Sequence, residues 1–448
     1  MQAILNDPES SGGARTEFSR YSPDAREAAP ALTHNFLWTL TGNVTYALCQ
    51  WVVLMAFAKF GNVEMLGKYA LGLAISAPVF QFCSLQLRAV QVTDVRNRYS
   101  FREFAAMRLA MTGAGLVIVA ALALGGRAGA QTALVVVLMG LSKAVESLSD
   151  LCQGLFQKNE RMDRVAKSLM FKGMLSAAVV ALTLRLGGGP ARAAGMLAIS
   201  WALVWAGYDL PNAISQLAGQ PRRVLPRISR PVFAELMVLT LPLGFVTLVL
   251  SLNANLPRYF LAKYSGEASV GIFGALVYCI VAGNTVMGAL GQAASPKLAK
   301  LNCEGNLRGF CLLVGKLAAF GAATGMVGLM AVKLAGAEIL TLLYRPEYAL
   351  HAKAFFWLMA AGATANVSGV LGVAMTAMQG FKQQAWIHLG CLAIGLGASA
   401  KLIPSMGILG AAFSVLALAV AGLVGFSFQL GLMLAAKRVP SAPAAVPR

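Results

Sequence analysis

Apolar segments recur along the chain at an interval of about 20 residues, separated by short polar breaks, from residue 35 to residue 435. That length matches the roughly 20 mainly apolar residues a helix needs to cross a bilayer. The pattern predicts twelve spans, near 34–58, 66–91, 104–124, 131–156, 167–186, 192–212, 233–257, 269–292, 309–333, 352–378, 385–403 and 407–435. No interval is left for a soluble domain. Residues 1–33 are polar, with Pro, Ser, Gly and mixed charges, and read as a disordered tail. They lack the basic start, short apolar run and small-residue cleavage site of a signal peptide, so the first span is expected to direct insertion and stay. Residues 436–448 form a second tail.

The longest polar connection between spans, 213–232, carries three prolines and four arginines and separates six spans from six. It divides the chain into lobes at 34–212 and 233–435. The halves share weak likeness. Lys59-Phe60 precedes Gly67-Lys68-Tyr69 by the interval at which Lys263-Tyr264 precedes Gly271-Ile272-Phe273, and Gly140, Val145 and Gln157 align with Gly362, Val367 and Gln379 at one offset. The fold class read from this is an all-α integral membrane protein of about twelve helices in two pseudo-symmetric lobes, the architecture of a transporter.

Composition agrees, with 58% hydrophobic and 12% charged residues and a mean hydropathy of +0.67. The net charge of +19 resides in short runs beside the spans, Arg96 to Arg108, Lys158 to Lys172 and Arg222 to Arg230, which orient helices and meet anionic headgroups rather than nucleic acid. Of 37 Lys and Arg, 25 fall on the side of the termini and 11 on the other, with Lys143 inside a span. The positive-inside rule then puts both termini in the cytoplasm. The seven cysteines and three histidines are scattered without ligand spacing, so no metal or other cofactor is expected. There is also no P-loop and no H-E-x-x-H.

Polar residues inside a membrane face protein or a wet cavity. Asn35, Thr39, Asn43, Tyr46 and Gln50 fall on one face of the first span by their spacing of four, four, three and four. Gln81, Ser84, Arg88 and Gln91 do the same on the second. One partner helix rarely satisfies a five-residue stripe, whereas a hydrophilic cavity between lobes satisfies all of it, although isolated members also suit helix-to-helix hydrogen bonds. Arg88 near one mouth, and Arg258 after Asn253 and Asn255 near the other, suit an anionic substrate; snorkelling to headgroups is the alternative. Lys143, Glu146 and Asp150 share a face of the fourth span, as an internal ion-pair cluster or as carriers of a coupling ion. Glu235 and Asp209 are weaker candidates of the same kind. Pro78 and Pro242, one per half, are the expected hinges.

The runs Gly67 to Arg108 (GKYALGLAISAPVFQFCSLQLRAVQVTDVRNRYSFREFAAMR), Glu146 to Arg164 (ESLSDLCQGLFQKNERMDR), YSGEASVGIFGALVY, ASPKLAK and LLYRPEYA resemble the polysaccharide-flippase branch of the multidrug, oligosaccharidyl-lipid and polysaccharide exporter superfamily. The likeness covers most of the chain after residue 30. It implies a MATE-like, two-lobed carrier in the bacterial cytoplasmic (inner) membrane, moving a polyprenyl-diphosphate-linked oligosaccharide by alternating access, without enzymatic chemistry. Its partners would be membrane lipids and the polymerase and export machinery of surface polysaccharide assembly. Arg88 and the stripe from Asn35 would lie at its cationic cavity. A cation-coupled multidrug exporter of the same superfamily is the alternative, with Glu146 and Asp150 as coupling groups. A major-facilitator carrier is disfavoured by the glycine-free loop TDVRNRYSFRE. A membrane glycosyltransferase or polymerase is disfavoured by the lack of a long loop or acidic metal motif.

Overall fold

The computed structural model describes residues 32–94, 97–126, 129–217 and 219–438. The tails, apart from the first turn of the first helix and the last of the final one, lie outside these residues, as does Arg96. Every regular element described is helical: α1 (Leu32–Phe60), α2 (Val63–Ser84), α3 (Leu87–Thr93), α4 (Phe101–Gly125), α5 (Ala130–Lys158), α6 (Met162–Arg185), α7 (Pro190–Val204), α8 (Leu210–Gln216), α9 (Arg230–Tyr264), α10 (Gly266–Cys303), α11 (Leu307–Leu343), α12 (Pro346–Ala349), α13 (Ala352–Ala377) and α14 (Phe381–Arg438). The chain is a multi-pass membrane protein of about twelve spans. The pairs α2–α3 and α7–α8 each make one span, and α14 makes two because Gly407 breaks it at φ 53°, a left-handed position glycine adopts without strain.

Packing repeats between the lobes. Helix α1 lies on α6 as α9 lies on the first half of α14, and α2 and α4 lie on α5 as α10 and α11 lie on α13. Small residues set the closest approaches: a Cβ at Gly42 would sit 2.7 Å from the Ala166 backbone, and one at Gly173 would sit 3.0 Å from Cys49. The residues aligned by the repeat, Gly67 and Gly271, abut each other across the lobe boundary. A Cβ at Gly67 would overlap the Glu267 carbonyl, and one at Gly271 would lie 2.7 Å from the Gly67 nitrogen. A two-fold axis brings equivalent residues together in this way.

One hydrophobic core joins the lobes at the end away from the termini. Val53 and Phe57 of α1, Leu66 of α2, Leu261 of α9, Phe273 and Leu276 of α10, and Leu340 of α11 are all buried in it. Polar contacts reinforce the seal: Lys68 pairs with Glu267 (4.0 Å), Thr132 donates to Glu267, and Arg345 donates to the Lys59 carbonyl (2.6 Å). Toward the termini the cores separate. One holds Met287, Phe310, Val370 and Phe426 of the second lobe; another holds Leu85, Phe104 and Leu151 of the first with Leu236 of α9. Glu235, also on α9, accepts from Tyr99 (2.9 Å) and pairs with Arg98. Burial and that carboxylate push the Tyr99 hydroxyl above its ordinary pKa.

The lobes are thus stitched along α2 and α9 but ajar between α1 and α10. In the terminal half of α1, Phe36, Leu37, Leu40 and Val44 remain exposed. The stitching arises from two irregularities in α2. Pro78 has no N–H, so the Ala74 carbonyl loses its helical donor, and the Tyr259 hydroxyl of α9 takes its place. Where α2 ends, Leu85 N turns to the Phe82 carbonyl, and the freed Gln81 carbonyl accepts from Thr247 of α9 (3.0 Å). Gly244 permits this approach, since a Cβ there would lie 3.0 Å from the Phe82 carbonyl.

These positions revise one expectation. Gln81, Ser84, Arg88 and Gln91 do not share a helical face, because Leu85 and Gln86 both adopt left-handed backbone (φ 49° and 50°) and end α2 before Arg88. Helical backbone is interrupted at Leu85–Gln86, at Ala335 in α11 and at Gly407, a π-helical turn lies over Trp205–Asp209, and Pro78 and Pro242 both lie inside helices. If Tyr259 caps the Ala74 carbonyl, Tyr259→Phe should lower stability by about 1–2 kcal/mol, the cost of orphaning a buried acceptor. Thermal unfolding in detergent measures it, and an unchanged midpoint would remove the cap from the seam.

Candidate functional site

A pocket of about 250 Å³ opens in the wall of the first lobe. Thr39, Asn43 and Tyr46 of α1 line one side; Arg88 of α3, with Glu146, Asp150 and Gln153 of α5, lines another. Helix α6 closes it with Leu169 and Lys172. Three members of the α1 stripe therefore meet Arg88, Glu146 and Asp150 in one cavity. The outer members of the stripe, Asn35 and Gln50, do not line it, nor do Gln81 and Ser84. Gln81 is exposed, and Ser84 bonds back to the Gln81 carbonyl at 2.8 Å.

The helix break makes the site. Two successive non-glycine residues in left-handed backbone cost about 1–3 kcal/mol each, and the buried Leu85 and Leu87 on either side of Gln86 anchor the elbow. Helix α3 then lies against α5 at Gly154, where a Cβ would overlap the Gln91 side chain and crowd Arg88 Cγ at 3.4 Å. From there Arg88 Nε donates to Gln157 (2.9 Å), and Nη1 donates to Gln153 (3.0 Å) and Asp150 (3.1 Å).

Asp150 has a second partner. Arg108 of α4 donates to its other oxygen at 2.9 Å and to Ser147 at 3.3 Å, and its side chain is only 1% exposed. The expected cluster on α5 is therefore split: Lys143 pairs with Glu146 (2.6 Å), while Asp150 pairs with two arginines from other helices. Deeper still, Ser149 donates to Asp209, and Lys172 contacts both Ser149 and Asp209, the latter at 3.4 Å. The π-helical turn before α8 adds a residue to the helical repeat and aims the fully buried Asp209 at α5 and α6. Four cations face three carboxylates in this network.

Arg108 and Lys172 close two basic runs read as headgroup contacts, yet both are buried and paired. A signal for Lys172 was present: Ser168, Lys172 and Ser176 recur every four residues and are all buried. The other arginine-bearing group lies apart. Asn253 donates to the His388 carbonyl (3.1 Å), and Asn255 accepts from Arg258 (2.6 Å), next to the Tyr259 cap. Among the described residues no group of His, Cys, Asp or Glu gathers to hold a metal ion.

The fold is similar to that of an inward-facing multidrug resistance MATE family transporter of the MOP superfamily (TM-score 0.70, 12% identity, covering 89% of this chain and 96% of the other) and to that of the lipid II flippase MurJ in an inward closed conformation (0.70, 12%, 88% and 87%). In sequence the chain is 28% identical over 385 residues to the capsular polysaccharide biosynthesis protein CapF of Staphylococcus aureus, covering 86% of this chain and 95% of the relative. Sequence relative and structural neighbours together agree with the resemblance read from the sequence. No protein-family model matches the chain.

Removing one partner of a buried ion pair leaves an uncompensated charge, which costs about 3–5 kcal/mol. Asp209→Asn should therefore sharply reduce the folded yield and the unfolding midpoint in detergent, and Lys172→Met combined with Asp209→Leu should recover most of the loss. A single variant as stable as the parent would show that the pair is not a structural element.

Proposed function

We propose that the chain is an alternating-access carrier that flips a polyprenyl-diphosphate-linked oligosaccharide across the bacterial cytoplasmic membrane for surface polysaccharide assembly. The observation that carries this reading is the pocket, whose wall offers Arg88 to an anionic headgroup and Thr39 and Asn43 to sugar hydroxyls. Arginine's fork of donors suits phosphate oxygens. The cleft between α1 and α10 leaves a lateral way for the polyprenyl tail to stay in lipid while the headgroup enters. With both termini cytoplasmic, as the Lys and Arg distribution supports, the unsealed end faces the side where such substrates are assembled. The step breaks no bond and needs no cofactor, and polymerase and export proteins are the natural recipients of the product.

A cation-coupled drug exporter is the second reading, favoured by Glu146 and Asp150 in the pocket wall. It is the weaker one because each carboxylate is already paired, and the surrounding network has an excess of positive charge that disfavours a cationic ligand. Arg88→Ala should lower surface glycan export at least tenfold in cells with an unchanged amount of folded protein in the membrane. Export at the parental level would take Arg88 out of the path, and loss of cationic-dye efflux in Glu146→Gln with normal glycan export would favour the drug reading.

A further inference from the structure

The two arginines on Asp150 are not equivalent. Arg108 is sealed behind α5 at 1% exposure, whereas Arg88 is 28% exposed and Asp150 31%, both on the pocket wall. Asp150 thus has one fixed partner and one that a ligand can reach. Arg88, for its part, does not depend on Asp150 for its place. Gln157 and Gln153 also hold its guanidinium, and Gln153 is itself oriented because its amide nitrogen donates to Ser168 (3.1 Å), leaving its oxygen toward Arg88.

We propose that Asp150 is a resident anion: in the empty pocket its carboxylate occupies the place on Arg88 that a substrate phosphate takes, and in the loaded pocket it is retained by Arg108 alone. This rests on the reading that the pocket receives a diphosphate headgroup. The exchange has a physical purpose. A bare arginine inside a membrane bundle is costly, so a carrier that must cycle both loaded and empty needs a counter-ion for Arg88 in each state. Substrate phosphate supplies it on one leg and Asp150 on the other. The same competition limits affinity, so that the headgroup is released after transport; a path must bind well enough to load and weakly enough to empty. Glu146 is not exchangeable in this sense, because its partner Lys143 stands three residues away on its own helix.

The test compares the purified full chain with Asp150→Asn and Arg108→Met by titration with inorganic diphosphate and with a sugar-free polyprenyl diphosphate. Removing the competitor should tighten binding of both probes about tenfold, the scale of one charge-assisted hydrogen bond, while slowing flipping in vesicles. Arg108→Met should weaken binding, because Asp150 then leans wholly on Arg88. A purely structural pair gives no such opposite signs. If Asp150→Asn does not fold, the double variant removes the buried pair together and should also tighten binding. Unchanged or weaker binding in a folded Asp150 variant overturns the proposal and leaves the flippase reading standing, as does tightening confined to inorganic diphosphate. A parental chain that binds neither probe overturns both.

Discussion

In hydrocarbon, an unpaired charge or a bare peptide carbonyl has no water to turn to, and the architecture of this bundle follows from that constraint. Its helices are irregular at several points, and the groups so freed find partners from another helix. Pro78 exposes the Ala74 carbonyl to Tyr259, the end of α2 exposes the Gln81 carbonyl to Thr247, and the π-helical turn brings Asp209 to Lys172. The charges obey the same rule, with Asp150 between Arg88 and Arg108 and Glu146 on Lys143. Except for the Lys143–Glu146 pair within α5, these contacts cross between elements, so the defects of single helices become the joints of the assembly.

Those joints are distributed unevenly, and the unevenness gives the molecule its direction. The shared core and the Gly67–Gly271 contact close one end, and the carbonyl caps close the α2–α9 side. What remains open is the cleft beside α1, where the pocket lies. A two-fold repeat alone would give two equivalent seams. Proline at position 78, the break at Leu85–Gln86 and glycine at 244 make one seam tight.

The fold was largely legible in the amino-acid sequence because bilayer thickness imposes a length on every span and the apolar pattern records it. The repeat was legible at Gly67 and Gly271 because close backbone contact on an axis restricts both positions to the smallest residue. The α1 stripe was visible through its helical spacing, and Thr39, Asn43 and Tyr46 do converge with Arg88, Glu146 and Asp150. Other parts were hidden for physical reasons. A left-handed elbow at Leu85–Gln86 uses residues with no turn preference, so the span read as continuous. Arg108 and Lys172 stand next to true surface runs, and only their partners on other helices reveal them as buried.

We propose that the first-lobe pocket carries a lipid diphosphate headgroup across the membrane. The most direct measurement is reconstitution of the full chain in vesicles with a fluorescent polyprenyl-diphosphate oligosaccharide, following the label's arrival in the opposite leaflet. The expected result is protein-dependent movement that unlabelled lipid diphosphate competes away and that a neutral glycolipid does not. Movement of a cationic dye in the same vesicles, with the labelled lipid staying in its original leaflet, would contradict it.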